Sequence, residues 1–251
     1  MTTSLERDSN VGSISPTKSY FSFKRLISKR KQERTNEIMT KDWIGNKRTV
    51  FSILGASNHS ETDRQPEDYY ATSPLAIDKL ASKFEIPKKV LEPCCGEGHL
   101  SERLKELGHE VWSYDIVDRG YGEVQNFFEM LTLPDSLSLS LSAESVFRED
   151  MAVVTNPPYA HALEFIQHSL ELVPDDSYVC MFVKTTFLEG KRRYKELFSR
   201  QPPMLVLQFV ERILCAKNGD FVEARKQGSA VSYCWCIWRK NYKGKTIIDW
   251  I

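Results

Sequence analysis

Asn156, Pro157, Pro158 and Tyr159 stand directly after the apolar run 151–155, and their types suit the handling of a planar amine. The Asn156 side-chain carbonyl and the Pro157 backbone carbonyl both accept hydrogen bonds from an exocyclic N–H group. The Tyr159 ring offers a face on which the heterocycle or amide bearing that amine can stack. Met151, Ala152, Val153 and Val154 read as a buried strand, and the two prolines end it abruptly because proline cannot donate to a sheet ladder. Asn and Pro are also ordinary turn residues, so the plain alternative for these four residues is a strand-ending turn.

A second constellation precedes it. Lys89-Val90-Leu91-Glu92-Pro93-Cys94-Cys95-Gly96-Glu97-Gly98 runs a short strand into a glycine turn. Leu100, Leu104 and Leu107 then mark a helix closed by Gly108, and residues 110–115 form a second strand ending on Asp115. Strand, glycine turn, helix, strand and terminal acid make a nucleotide-binding half-unit. Gly96 and Gly98 let the backbone approach a ligand closely. Asp115, about twenty residues past the first glycine, suits the two hydroxyls of a ribose. The turn has no third glycine and no Lys or Arg, and Glu92 and Glu97 repel phosphate. A carboxylate at the strand end favours an ammonium group instead. The expected ligand is a nucleoside carrying an amino acid, not a dinucleotide.

Together Glu92-Pro93, Gly96, Gly98, Asp115 and Asn156-Pro157-Pro158-Tyr159 resemble the S-adenosylmethionine-dependent amino-methyltransferases. The DNA N6-adenine methyltransferases are most similar, especially compact phage and prophage types. Those carry a segment like Gly55-Ala56-Ser57-Asn58-His59-Ser60 followed by Asp68-Tyr69-Tyr70-Ala71-Thr72-Ser73-Pro74. The resemblance covers residues 50–238. It implies a Rossmann-like class I methyltransferase fold: an open, mostly parallel seven-stranded sheet with helices on both faces. It implies S-adenosylmethionine as cofactor, with Glu92 facing its amino group, Asp115 its ribose, and Pro93, Gly96 and Gly98 the turn around it. Tyr70, Thr72 and Pro74 would line its methionine end. Asn126 and Phe127 occupy the place where the family carries an Asp and an aromatic near the adenine amine. The implied acceptor is the N6 amine of adenine in DNA, with a flipped base stacked on Tyr159. Amino-methyltransferases acting on RNA adenine or protein glutamine share the Asn-Pro-Pro-Tyr motif. A silent fold retained as a nucleic-acid-binding module is the alternative of another class.

The remaining elements must position these groups. Leu75, Ile77, Leu80, Ala81 and Phe84 predict a helix begun at Pro74. After the central motif come a helix through Leu172, a buried strand at 178–183, a short basic helix after Gly190, and strands at 205–210 and 230–238. Leu131 to Ser142 alternates Leu with small polar residues and reads as an exposed strand or loose loop. Residues 215–228 read as a mobile loop. Lys191, Arg192 and Arg193 suit either a solvated helix face or phosphate contact.

The 251 residues allow one sizeable domain with an appendage. Residues 1–49 read by composition as a basic, poorly ordered arm, or one that contacts phosphates, and are expected to be an appendage to a catalytic domain over 50–251. About twelve basic and seven acidic side chains fall in residues 1–65, although net charge over the chain is zero. No run reaches membrane-spanning length. Six scattered cysteines lack the paired spacing of a zinc site and suit small core hydrophobes in a reducing cytosol, so a metal-free, cytoplasmic protein is expected. Only a short tail follows the last strand. Target recognition would fall to the arm, the 215–228 loop or a partner protein.

Overall fold

The computed structural model describes residues 70–142, 151–216, 221–222 and 231–251. The chain divides into two units, Met1–Ser60 and Glu61–Ile251, and every described residue belongs to the second. The basic arm and the segment from Gly55 to Tyr69 lie outside the described residues.

Eight strands form one sheet: β2 (Lys89–Glu92), β3 (Glu110–Asp115), β4 (Glu123–Val124), β5 (Met151–Thr155), β6 (Tyr178–Lys184), β7 (Leu205–Gln208), β9 (Tyr233–Arg239) and β10 (Ile247–Trp250). Their order is β10-β7-β9-β6-β5-β2-β3-β4. Only β9 runs against its neighbours, pairing antiparallel with both β6 and β7. The sheet thus has one strand more than the seven expected. The extra one is β10, which adds parallel to β7 at the edge. Its residues Ile247, Ile248 and Trp250 stay exposed, so no two-faced burial pattern announces it.

Side chains alternate across the sheet because successive residues of a strand point to opposite faces. Val90, Ala152, Val154, Phe182 and Trp235 face one side, where helices α1 (Leu75–Ala81) and α2 (His99–Glu106) supply Ile77, Leu80, Leu100 and Leu104. Leu91, Met151, Val153, Met181 and Cys236 face the other, covered by α3 (Asp135–Ser142) through Leu137 and by α4 (Ala162–Leu172) through Phe165, Ile166 and Leu170. Trp235 and Trp238 are fully buried on opposite faces. The Trp235 indole donates to the Ala76 carbonyl at 2.9 Å, satisfying its one polar atom and tying α1 to the sheet.

Three readings are corrected. Residues 135–142 are helical, not strand or loop. Pro134 accepts from the Ser138 amide at 2.8 Å, closing the first turn, and the Trp112 indole holds Ser136. The Leu–Ser alternation is a low-complexity pattern whose period was misleading. Cys215–Ala216 is strand β8, paired antiparallel with β1 (Ala71–Thr72), rather than part of a loop. Residues 217–220 and 223–228 of that expected loop lie outside the described residues.

The third concerns the basic helix that follows Gly190 and continues through a π-turn to Phe198. Arg192 bridges Glu164 and Glu196, and Arg193 donates to the Glu189 and Thr186 carbonyls while its guanidinium covers Phe187. Both guanidiniums are spent on the fold's own surface, which removes them from the phosphate reading.

Candidate active site

The carboxyl ends of β2, β3 and β5 lie side by side, since β2 pairs parallel with both others. Ligands of open α/β sheets sit in the crevice outside those ends. Glu92, Asp115 and Asn156 all stand there, the last two residues of β2 and β3 and the first residue after β5.

The glycine turn is built around Asp115. One carboxylate oxygen accepts from the Gly96 amide at 2.9 Å and the other from the Val117 amide at 3.0 Å. A carboxylate oxygen has a further lone pair after one such bond, so both remain able to take ribose hydroxyls. Gly96 and Gly98 both have positive φ, at 55° and 85°. At Gly98 a Cβ would also meet the Tyr121 ring at 2.5 Å, so glycine is required there for conformation and for space. Tyr121 is held over the turn by its hydroxyl, which donates to Glu102 at 2.6 Å and accepts from Lys105 at 2.8 Å. Nothing in the sequence pattern pointed to this tyrosine.

Glu92 is 1% exposed, and its carboxyl accepts from the Ser101 hydroxyl, which is itself 2.6 Å from the Ser113 hydroxyl. Burial pushes its pKa up from 4.5 to about 8; the Ser101 bond opposes that rise and nearby Asp115 adds to it. The site therefore holds two buried carboxyl groups, neither in an ion pair among the described residues, a donor set that fits a ligand bearing an ammonium and a vicinal diol. The raised pKa also makes a stability prediction. The folded chain retains a proton that the unfolded chain releases above about pH 4.5. Glu92's contribution is thus complete below 4.5, declines as pH rises, and is lost above about 8. Glu92→Gln should flatten this part of the profile, and its melting temperature should exceed the wild type's at pH 8–9. A mutant whose melting temperature tracks the wild type from pH 5 to 9 would refute the buried-acid assignment.

Asn156 is fixed from the opposite side. Its side-chain amide donates to the Thr72 hydroxyl at 2.8 Å and points a weaker contact at the Tyr70 carbonyl, 3.4 Å away. A carbonyl only accepts, so the amide nitrogen must face Tyr70 and the oxygen must face away. That oxygen is buried and accepts no hydrogen bond among the described residues. Unsatisfied buried acceptors are rare because each costs about 1–3 kcal/mol. Pro157 and Pro158 carry the chain from Asn156 to Tyr159, and Pro158 accepts from the His161 amide at 2.9 Å.

The Tyr159 ring lies near-parallel to Tyr70, with centroids 6.0 Å apart. Its hydroxyl is 3.2 Å from that of Tyr233, and the Lys184 ammonium sits 4.1 Å from its ring centroid. Burial pushes the Tyr159 phenol well above its ordinary pKa, so it stays neutral and is no base.

Tyr70, Thr72 and Pro74 were expected at the methionine end of the cofactor. Tyr70 and Thr72 touch the acceptor motif, through the Tyr159 ring and the Asn156 amide, and Pro74 caps α1. Pro93 and Cys94 lead β2 into the turn. Asn126 sits just past β4, where the Gln125 amide donates to the Asp115 carbonyl at 2.8 Å. Its side chain caps the short turn that follows, accepting from the Phe128 amide. Phe127 is corrected: it is 2% exposed and stacks on Phe165 in the core, leaving Phe128, 40% exposed, as the ring at the surface. Lys184, Tyr233 and Thr72's bond to Asn156 were missed. For Lys184 a signal existed, since it is the polar residue closing an apolar strand, as Asp115 is in β3.

Among the described residues no cluster of His, Cys, Asp or Glu has metal-binding geometry, and no helix is long and apolar enough to cross a membrane. No family model matches the chain. A curated relative, the ubiquinone biosynthesis O-methyltransferase of Xanthomonas campestris pv. campestris (strain B100), is 25% identical over 161 residues, 64% of each chain. The enzyme of the same name from Xanthomonas euvesicatoria pv. vesicatoria (strain 85-10) is 23% identical over the same span. The chain thus spans 64% of the length of these relatives. Among solved structures, a putative RNA methyltransferase from Pyrococcus horikoshii is similar with a TM-score of 0.46, at 18% identity, covering 79% of this chain and 99% of that one. The type I restriction-modification methyltransferase subunit from Streptococcus thermophilus gives 0.45 at 11% identity, covering 68% and 44%. The single reversed strand β9 within an otherwise parallel, helix-covered sheet makes this an open, Rossmann-like α/β fold.

Proposed function

We propose that the chain is an S-adenosylmethionine-dependent methyltransferase acting on the N6 amine of adenine in DNA. The observation that carries this reading is the buried, unpaired Asn156 carbonyl oxygen, locked by Thr72 beside the Tyr159 ring. An exocyclic amine supplies the donor that this oxygen lacks. The Glu92–Asp115 crevice takes the cofactor, whose sulfonium supplies an electrophilic methyl group. Asn156 and the Pro157 carbonyl hold both amine protons, which draws the nitrogen lone pair out of conjugation with the ring and toward the methyl carbon. With the cofactor bound, its methyl group would pass to the amine nitrogen as its S–C bond broke, and the surplus amine proton would leave to water. Asn156 is a hydrogen-bond acceptor with no capacity to take a proton, which suits an amine better than a hydroxyl acceptor. Tyr159 replaces the stacking that a flipped base gives up. Residues 1–49 act as an appendage that contributes DNA contacts rather than folding energy.

Calorimetric titration with S-adenosylmethionine tests the first half of the reading. Transfer of labelled methyl to DNA, RNA and protein, with nucleoside mass spectrometry for N6-methyladenine, tests the second. Label entering ribosomal RNA or protein glutamine and not DNA would reassign the acceptor. Absence of cofactor binding would end the enzymatic reading.

A further inference from the structure

Gly98 leaves a space that the chain fills itself. A Cβ there would meet three carbons of the Tyr121 ring at 2.5 and 2.6 Å, so the ring face lies where a side chain would stand. Tyr121 belongs to the loop 116–122 that joins β3 to β4, and its side chain is half-buried. Its carbonyl oxygen lies 3.7 Å from the Cys95 thiol. A Cβ on the next residue, Gly122, would meet the Cys95 sulfur and the Ser113 carbonyl oxygen, both at 2.7 Å. Asp115 adds a further link, with one carboxylate oxygen on the Gly96 amide and the other on the Val117 amide of the loop. Turn and loop are thus held to each other at Cys95, Gly96 and Gly98. The Tyr121 hydroxyl, bonded to Glu102 and Lys105 of α2, sets the angle of the ring.

A glycine turn is soft, because glycine populates positive φ about as readily as negative. Gly96 and Gly98 are held at 55° and 85°. Without packing the turn would sample several shapes, of which one matches the ligand. Apparent affinity is reduced in proportion to the fraction of chains in that shape. A ring in the Gly98 space excludes the others and moves the ordering cost from binding to folding.

We infer that Tyr121 is the positioning residue of the glycine turn and sets the affinity for S-adenosylmethionine while taking no part in methyl transfer. The second glycine of the turn makes room for a ring of this chain, where the motif alone suggests close approach of a ligand. This rests on the methyltransferase reading of the same crevice.

The test takes the full chain as Tyr121→Ala, Tyr121→Phe and Tyr121→Leu. Calorimetric titration with S-adenosylmethionine is combined with thermal melts and methyl-transfer kinetics on an adenine-containing DNA oligonucleotide. Tyr121→Ala should bind the cofactor roughly ten-fold more weakly, the loss expected if about a tenth of the chains keep the competent turn. Saturating cofactor should return kcat to near the wild-type value, and KM for the oligonucleotide should hold. Tyr121→Phe keeps the ring and loses only bonds to the exposed Glu102 and Lys105, so its affinity should stay within about two-fold of wild type. Gly98→Ala should lose less further affinity in the Tyr121→Ala background than in the wild type, because only backbone strain then remains. If Tyr121→Ala does not fold, Tyr121→Leu carries the same comparison, since it fills the space without a flat face. A merely structural Tyr121 would lower the melting temperature and leave the cofactor Kd untouched. That result in a folded variant overturns the inference and leaves the methyltransferase reading standing, as does a lowered kcat at saturating cofactor. Wild-type protein that does not bind S-adenosylmethionine overturns both together.

Discussion

Asn156→Ala should lower kcat by roughly 10²–10³-fold, the loss seen when one preorganised polar group facing the reacting centre is deleted. Cofactor affinity should stay near the wild-type value, because Asn156 contacts Thr72 and Tyr70 and no residue of the glycine turn in this structure. The reason for so large an effect is differential binding. The amine protons become more acidic as nitrogen donates its lone pair, so their bonds to the Asn156 oxygen strengthen toward the transition state. Loss of the Thr72 partner should cost only about 1 kcal/mol of stability, leaving the mutant folded. Thr72→Val separates positioning from direct contact. It keeps Asn156 but releases its amide, so kcat should fall to an intermediate value. Burst and steady-state kinetics on a methylatable oligonucleotide give these numbers. Full turnover in a folded Asn156→Ala protein would remove Asn156 from the reaction.

For Asp115→Ala the expected result is a weakening of S-adenosylmethionine binding by roughly 1.5–3 kcal/mol, about 10- to 150-fold in Kd, the worth of a charge-assisted hydrogen bond. The geometry adds a second consequence. Asp115 accepts the Gly96 and Val117 amides at 2.9 and 3.0 Å, so its removal leaves one amide of the glycine turn and one of the loop after β3 without their acceptor. Stranding a buried amide costs about 1–3 kcal/mol, and at about 2–4 °C per kcal/mol for a domain of this size the melting temperature should fall by several degrees. Asp115→Asn divides the two roles. Its shape is conserved and one oxygen survives, so stability should recover more than cofactor affinity. Calorimetry and thermal melts on the same preparations decide the matter, and unchanged cofactor affinity in a folded Asp115→Ala protein would void the ribose assignment.

The glycine-turn half of the crevice was legible because it is local. Glycine turn, helix and Asp115 fall within about thirty residues, and the spacing of such a unit follows from strand and helix periods alone. The acceptor half was legible as a motif but not as a site. Its four residues named the chemistry, while the partners that orient it come from elsewhere. Phe127 shows the converse error: resemblance placed its ring at the ligand, and packing against Phe165 and His168 put it in the core.

By itself the sequence determined the alternation of strands and helices, the carboxylates at the ends of β2 and β3, and the strand that breaks into Asn156-Pro157-Pro158-Tyr159. Each depends on interactions between residues a few positions apart, which hydrophobic period and turn chemistry encode directly. Tertiary structure alone decided which atom of Asn156 is free, because its amide is held by Thr72 across 84 positions of chain. It alone placed Lys184 over Tyr159, made a strand of Cys215–Ala216 against Ala71–Thr72, and added β10 at the sheet edge. Such pairings join segments whose separation in sequence carries no period. They are selected by which surfaces remain unburied once the sheet has assembled.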